Sequence, residues 1–329
     1  MLAPAYRMGT YKGFKSIVME SEKIRLETVP AIGAKLVSIV YKPTGKEWLL
    51  DSGDRPMRQP EYGTAFSDWD MSGWDECYPT INSCLSGTNK DIFLPDHGEL
   101  WSLPWDCKIR ENSIVSSVRS PQLPYQFTRE ISFTSADRIR LDYRADNLSD
   151  QPIPFLWVPH PQFAITEPTR ILLPDSMEEM LCVYEGHTLK NGEMYAWDDV
   201  SLISPVVTGD GRKFYYRDQV LTGYSGLYEE VSGNFLILSV PADKVPYLGV
   251  WVDEGMFNDR VTCALEPSIG FYDSLEIAVG NGTAQIIPAQ SSFSWHLELS
   301  IGVGVNNLEV ELRRGRPIYE ELSDRCKRG

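Results

Sequence analysis

Tyr125-Gln126-Phe127-Thr128-Arg129-Glu130-Ile131-Ser132-Phe133 sets bulky side chains at every second position, with mostly polar ones between them. A period of two places alternate residues on opposite faces of an extended chain, which is the pattern of a half-buried β-strand. After Thr134-Ser135-Ala136-Asp137 the pattern resumes, with Ile139, Leu141, Tyr143 and Ala145 set between Arg138, Arg140, Asp142 and Arg144. The two runs read as adjacent strands joined by a turn. Phe293, Trp295, Leu297 and Leu299 repeat the alternation far downstream, and Leu36 to Tyr41, Pro43-Thr44-Gly45 and Trp48 to Leu50 read as strand, turn, strand. The chain is therefore expected to be all-β, a large antiparallel β-sandwich with few short helices. The helix signals are Pro174-Asp175-Ser176 opening Met177 to Leu181, and Ile318 to Cys326 near the C-terminus.

With 329 residues the chain can bury a large core, and β-sandwiches of this size fold as one unit, so a single domain over 1–329 is expected. The net charge of −15 argues against nucleic acid and anionic membranes as partners, because affinity for phosphate rests on clustered Lys and Arg. No apolar run approaches the roughly 20 residues that span a bilayer. Met1 to Tyr11 lacks the charged and apolar regions of a signal peptide, so a cytoplasmic location is expected. Six cysteines, at 77, 84, 107, 182, 263 and 326, show no CxxC spacing and read as free thiols, not as a zinc or disulfide framework.

Only four histidines occur, and two have unusual neighbours: His97 in Pro95-Asp96-His97-Gly98-Glu99-Leu100-Trp101, and His160 in Pro159-His160-Pro161-Gln162-Phe163. The prolines around His160 restrict its backbone in what reads as a turn after a strand at Ile153 to Val158. An imidazole with a reference pKa of about 6.5 takes or gives a proton near neutrality at little cost. A buried structural histidine closing a turn is the alternative. In Val261-Thr262-Cys263-Ala264-Leu265-Glu266 the apolar residues share one face, and Thr262, Ala264 and Glu266 share the other. Small neighbours leave room before the Glu266 carboxylate, which faces a cavity or, as the plainer reading of this residue in isolation, solvent, and Pro267 is expected to end the strand. Tyr247, Trp251 and Asp253 share a face of Tyr247 to Asp253, and Trp74-Asp75-Glu76 and Trp101 also set an aromatic beside an acid. That combination suits a sugar, whose ring stacks while its hydroxyls are hydrogen-bonded. Core packing plus a solvated acid is the plainer reading of each. Asp51 to Asp70 and Leu85 to Lys90 are poor in period and read as rim loops. His187 and His296 read as surface residues.

The succession Gly73-Trp74-Asp75-Glu76-Cys77-Tyr78-Pro79-Thr80, Leu94 to Trp101, His160-Pro161-Gln162-Phe163 and Glu266-Pro267-Ser268-Ile269-Gly270-Phe271-Tyr272-Asp273-Ser274-Leu275 resembles the aldose 1-epimerase (galactose mutarotase-like) superfamily. Ile32-Gly33-Ala34-Lys35-Leu36 and Pro288-Ala289-Gln290-Ser291 before Trp295 extend the resemblance over nearly the whole chain. It implies a supersandwich that holds a sugar on a concave face and interconverts its α and β anomers by acid/base ring opening. It places the general base at Glu266, the general acid at His160 as an imidazolium, and a substrate-binding histidine at His97. It requires no cofactor and implies a small-molecule sugar as the partner. The chain lacks the family's Asn-Arg and Asp-His-Asn-Phe-like segments, so the substrate-orienting aspartate has Asp253 and Asp75 as candidates. Trp251 and Trp101 complete the expected binding set. The hexose-6-phosphate branch holds phosphate with arginines, for which Arg55 and Arg58 are the candidates if either reaches the pocket. A carbohydrate-binding protein without turnover is the reading of another class, and a metal hydrolase ranks last because HxxxH spacing is absent. The sequence sets no oligomeric state.

Overall fold

The computed structural model describes residues 4–86 and 92–314, and its regular structure is predominantly β. A nine-stranded antiparallel sheet runs from edge to edge through Leu202–Ile203, Thr169–Leu172, Tyr224–Glu229, Asn234–Ser239, Ser292–Val303, Arg138–Asn147, Tyr125–Ser135, Ser113–Arg119 and Asp106–Ile109. The expected hairpin is among its inner strands, pairing Phe127 with Ala145, Arg129 with Tyr143 and Ile131 with Leu141. Trp295 and Leu297 then stand opposite Tyr143 and Leu141. Tyr125, Phe127, Arg129 and Ile131 are buried, and the residues between them are half-buried, as the period requires.

Two further sheets lie over this one. The first joins Ala5–Tyr11, Phe14–Glu20, Ile24–Val29, Lys35–Tyr41, Trp74–Cys77 and Val158–Pro161, with Lys46–Glu47 beside Lys35–Tyr41. The second runs through Phe163–Ala164, Thr262–Ser268, Tyr247–Glu254, Asp210–Tyr215, Glu179–Tyr184 and Met194–Ala196. Bridges at Leu49–Phe163 and Trp157–Ile269 stitch the two along a seam. Trp157 packs on Tyr143 and Trp295 of the large sheet, with ring centroids 4.8 and 5.2 Å apart, and one hydrophobic cluster includes residues of all three sheets.

Among the inward residues of the large sheet is a charged one that reaches the next layer. Arg129 is fully buried, and its guanidinium lies 3.0 Å from Glu76, which also accepts hydrogen bonds from Tyr143 Oη and Trp157 Nε1, both at 2.9 Å. A buried ion pair persists when most of its remaining hydrogen-bonding capacity is met; here the Ala34 carbonyl also accepts from the guanidinium, and Tyr143 and Trp157 donate to Glu76 across the layers, leaving Arg129 Nε without a partner. Because Glu76 points into the core, Asp75 and Cys77 point to the other face of their strand. That face carries the site.

Four expectations of local structure are corrected. Met177 to Leu181 is not helical: Glu179–Tyr184 is a strand whose Met180 and Cys182 are buried at a spacing of two. The strand returning from Lys35–Tyr41 is Lys46–Glu47, and Leu49 crosses instead to bridge Phe163. His160 lies within the strand Val158–Pro161, opposite Asp75, because each proline biases the residue before it toward extended backbone. Pro267 does not end its strand, which continues to Ser268. Opposite it, the Leu248 carbonyl accepts from Tyr216, just past the neighbouring strand Asp210–Tyr215, so the pair needs no N–H from Pro267. Among the described residues the α-helices are Trp197–Val200, Leu275–Gly280 and Val305–Arg314, and none is long and apolar enough to cross a membrane. Ile318 to Cys326 and most of Leu85 to Lys90 lie outside the described residues.

Candidate active site

The six-stranded sheet aligns its polar residues by register. Lys213, Trp251 and Ala264 form one row across three strands, and Tyr215, Gly249 and Glu266 form the row two residues further on, on the same face. Ala264 and Gly249 keep this face open. A Cβ at Gly249 would lie 3.0 Å from the Tyr215 ring and 3.2 Å from Glu266 Oε2. At the seam Val158–Pro161 runs beside Thr262–Ser268, and His160 turns toward Glu266. The result is a cavity of about 380 Å³, lined by His97, His160, Gln162, Lys213, Trp251, Glu266, Asp273, Asp96 and Tyr272 among others.

Glu266 is buried between two nitrogen groups, with Oε1 3.1 Å from His160 Nδ1 and Oε2 3.1 Å from Lys213 Nζ. Lys213 Nζ is also 2.8 Å from Asp273 Oδ1, which accepts from Tyr215 Oη at 2.6 Å. Burial alone would raise the Glu266 carboxyl, but the Lys213 ammonium and the His160 contact hold it down at about 2. Burial likewise lowers His160, only partly offset by Glu266 and reinforced by His97 and Lys213. Thr262 Oγ1 donates to Gln162 Oε1 at 3.1 Å, which leaves the Gln162 amide to donate to His160 Nε2 at 2.8 Å. The ring proton of neutral His160 is then on Nδ1, toward Glu266. Both the lowered pKa and the Gln162 contact favour the neutral imidazole for His160.

His97 reaches the same space from a different loop. Its φ is +58°, an uncommon conformation for a residue with a Cβ, and Gly98 beside it packs directly on the Tyr78 backbone. Its Nδ1 lies 3.0 Å from Asp96 Oδ1, and its ring stacks on Phe66 with centroids 4.3 Å apart. Asp96 Oδ2 accepts the Phe66 backbone N–H at 2.8 Å, tying the Asp51 to Asp70 loop to the histidine. Burial raises the Asp96 carboxyl, but the His97 contact, the Phe66 N–H and nearby His160 together outweigh this and leave it below its ordinary value.

Glu266, His160, His97 and Trp251 are thus gathered around one cavity, while five other candidates are placed elsewhere. Asp253 accepts backbone N–H groups from Gly255, Met256, Phe257 and Asn258 at 2.7–3.2 Å, so its carboxylate fixes a turn. Asp75 is buried behind the histidines, with Lys35 Nζ 3.1 Å away; burial pushes its carboxyl up to about 7 against the pull of that lysine. Trp101 is buried, packs edge-on against Phe66 and donates to the Asp96 carbonyl at 3.0 Å. Arg58 is exposed over the Trp69 ring, and Arg55 bonds the Trp69 and Phe257 carbonyls, so neither lines the cavity. His187 is exposed and His296 half-buried, both away from the cavity. Lys213 and Gln162 were not singled out from sequence, and Asp273 stood in a quoted segment without a role. Arg212-Lys213 does interrupt an otherwise regular strand, but nothing in that pair says which cation points inward.

No family model and no curated protein sequence matches the chain. Solved structures do. A candidate aldose 1-epimerase from Klebsiella pneumoniae matches with a TM-score of 0.71 at 12% identity, over 97% of this chain and 90% of its own. A galactose mutarotase-like protein from Clostridium acetobutylicum matches with a TM-score of 0.64 at 15% identity, over 92% of this chain and 99% of its own. Another from Lactobacillus casei gives 0.64 at 15%, over 87% and 100%. Three antiparallel sheets in this arrangement, superposing over nearly the whole chain on these proteins, give the chain the galactose mutarotase-like fold.

Proposed function

We propose that the chain, as one domain, is a sugar 1-epimerase acting on an unphosphorylated aldose, with Glu266 as base and His160 as acid. The observation that carries this reading is the buried Glu266–His160 contact of 3.1 Å at the wall of a sugar-sized cavity. Glu266, ionised down to about pH 2, removes the proton from O1. His160, in its protonated form, delivers a proton to the ring oxygen; the C1–O5 bond breaks and an open-chain aldehyde forms. Rotation about C1–C2 and closure with both proton transfers reversed give the other anomer. Lys213 holds Glu266 anionic and aimed, and His97, fixed by Asp96 and Phe66, bonds a sugar hydroxyl. Trp251, braced by the Tyr184 and Phe257 rings 5.2 and 5.8 Å away, offers a stacking face.

The cavity's charges favour a neutral sugar over its 6-phosphate. Glu266, Asp273 and Asp96 line it against the single ammonium of Lys213, and Arg55 and Arg58 are committed elsewhere. The test is polarimetry on freshly dissolved α-glucose and α-galactose beside their 6-phosphates. Acceleration of a free sugar over its spontaneous rate is expected. Acceleration of the phosphates alone would overturn the substrate assignment, and binding without acceleration of any sugar would favour a carbohydrate-binding protein.

A further inference from the structure

We propose that Cys77, His97 and His160 form a site for a thiophilic divalent cation of the zinc class, with the two histidines at the wall of the same cavity and the buried thiol behind them. One ligating atom of each residue lies within 4.8 Å of the other two. The strand register brings two of them together: Asp75 stands opposite His160, and Cys77 shares the Asp75 face, so the thiol and the imidazole emerge on one side. The His97 loop brings the third. Positions 77, 97 and 160 have no local spacing in common, which is why no metal motif is visible in the sequence.

The surroundings of the two rings support ligation. Nδ1 of His160 faces Glu266 at 3.1 Å, and Nδ1 of His97 faces Asp96 at 3.0 Å. A carboxylate that accepts one ring N–H fixes the tautomer and leaves the lone pair of the other nitrogen free, the arrangement found around metal-bound histidines. On His160 that lone pair is met by the Gln162 amide at 2.8 Å, a bond the cation replaces. Two imidazoles and one thiolate suit tetrahedral zinc, whose bonds of about 2.3 Å to sulfur and about 2.0–2.1 Å to nitrogen require the three atoms to close in by about an ångström. Three protein ligands leave the fourth position toward the cavity, for water or a sugar hydroxyl. Binding converts the Cys77 thiol to thiolate and releases its proton to solvent, with no change of oxidation state. A bound cation occupies the His160 lone pair and so stops its proton transfer. This inhibitory consequence rests on the epimerase reading; the site itself does not.

Cobalt(II) titrated into the metal-free full chain tests the site directly. The expected result is a saturable near-ultraviolet thiolate-to-cobalt charge-transfer band at one equivalent, displaced by zinc. Cys77→Ser and Cys77→Ala, each checked for wild-type circular dichroism, should lose the band, and His97→Asn should weaken cobalt binding at least tenfold. Two variants at position 77 guard against one that fails to fold. No charge-transfer band in wild type, or a band that survives in a folded Cys77 variant, overturns the proposal. In the same samples zinc should slow anomerisation by wild type but not by Cys77→Ala, each relative to its own metal-free rate. A cobalt band in a protein that turns over no sugar would uphold the site and remove the epimerase reading instead.

Discussion

At the scale of single residues, the site depends on downward shifts in two neighbours, which keep the carboxylate ionised and favour the neutral imidazole. Burial and nearby cations lower His160, while Lys213 holds Glu266 at about 2. The proposed reaction needs Glu266 ionised and His160 protonated, so kcat/KM should rise through about pH 2 and fall again as pH passes the His160 value. That fall should lie below the ordinary histidine pKa of about 6.5. A pH-rate profile in which the falling limb lies above that value would contradict the assignment. Lys213→Met removes the nearest cation from a buried carboxylate, so the rising limb should move up past the ordinary glutamate value of about 4.3. The same change should destabilise the fold by roughly 3–5 kcal/mol, read by denaturant unfolding, because Glu266 and Asp273 would lose their buried partner. The stability sign follows from the depressed Glu266 pKa. Its contribution is full above the unfolded value near 4.3 and is lost as pH falls from there through about 2.

At the scale of elements, the site is where two sheets meet, and the large sheet holds one of them in place. Arg129 to Glu76 ties Trp74–Cys77 to the central hairpin, which fixes the face on which Asp75 and Cys77 emerge. Arg129→Met should leave Glu76 buried without its cation and cost roughly 3–5 kcal/mol, measurable as a lower urea midpoint with an unchanged m-value. Gly249→Val tests the open face between Tyr215 and Glu266. Branched methyls cannot fit beside a Cβ already 3.0 Å from the Tyr215 ring, so the variant should lose sugar turnover by at least about tenfold through displacement of Glu266. The alternation of Tyr125 to Ala145 was legible because a period of two has one structural meaning over so many residues. Met177 to Leu181 misled because a Pro-Asp-Ser start signal is local, whereas burial of Met180 and Cys182 is set by partners far away in sequence. His160 misled similarly: flanking prolines mark stiffness, and only the partner strand shows that the stiff segment is extended.

At the scale of the whole molecule, His97 and His160 drew notice because the chain has only four histidines, whereas Glu266 took its expected role from the family resemblance, an exposed strand glutamate being its plain reading in isolation. Lys213 drew no notice, since a lysine among 31 Lys and Arg residues becomes unusual only when the fold buries it beside two acids. Asp253 failed for the converse reason: the side chain was visible, but the turn of backbone N–H groups that claims it was not. A chain of net charge −15 whose cavity also carries more acids than cations should disfavour sugar phosphates at low salt, with less discrimination as salt screens the field. The central claim is that Glu266 and His160 jointly move the protons that open the ring. It is tested most directly by NMR exchange spectroscopy between sugar anomers with wild type, Glu266→Gln and His160→Asn. Each variant should keep its fold and lose roughly 10²–10⁴-fold of the wild-type rate enhancement. Wild-type acceleration that survives intact in either folded variant would contradict the account.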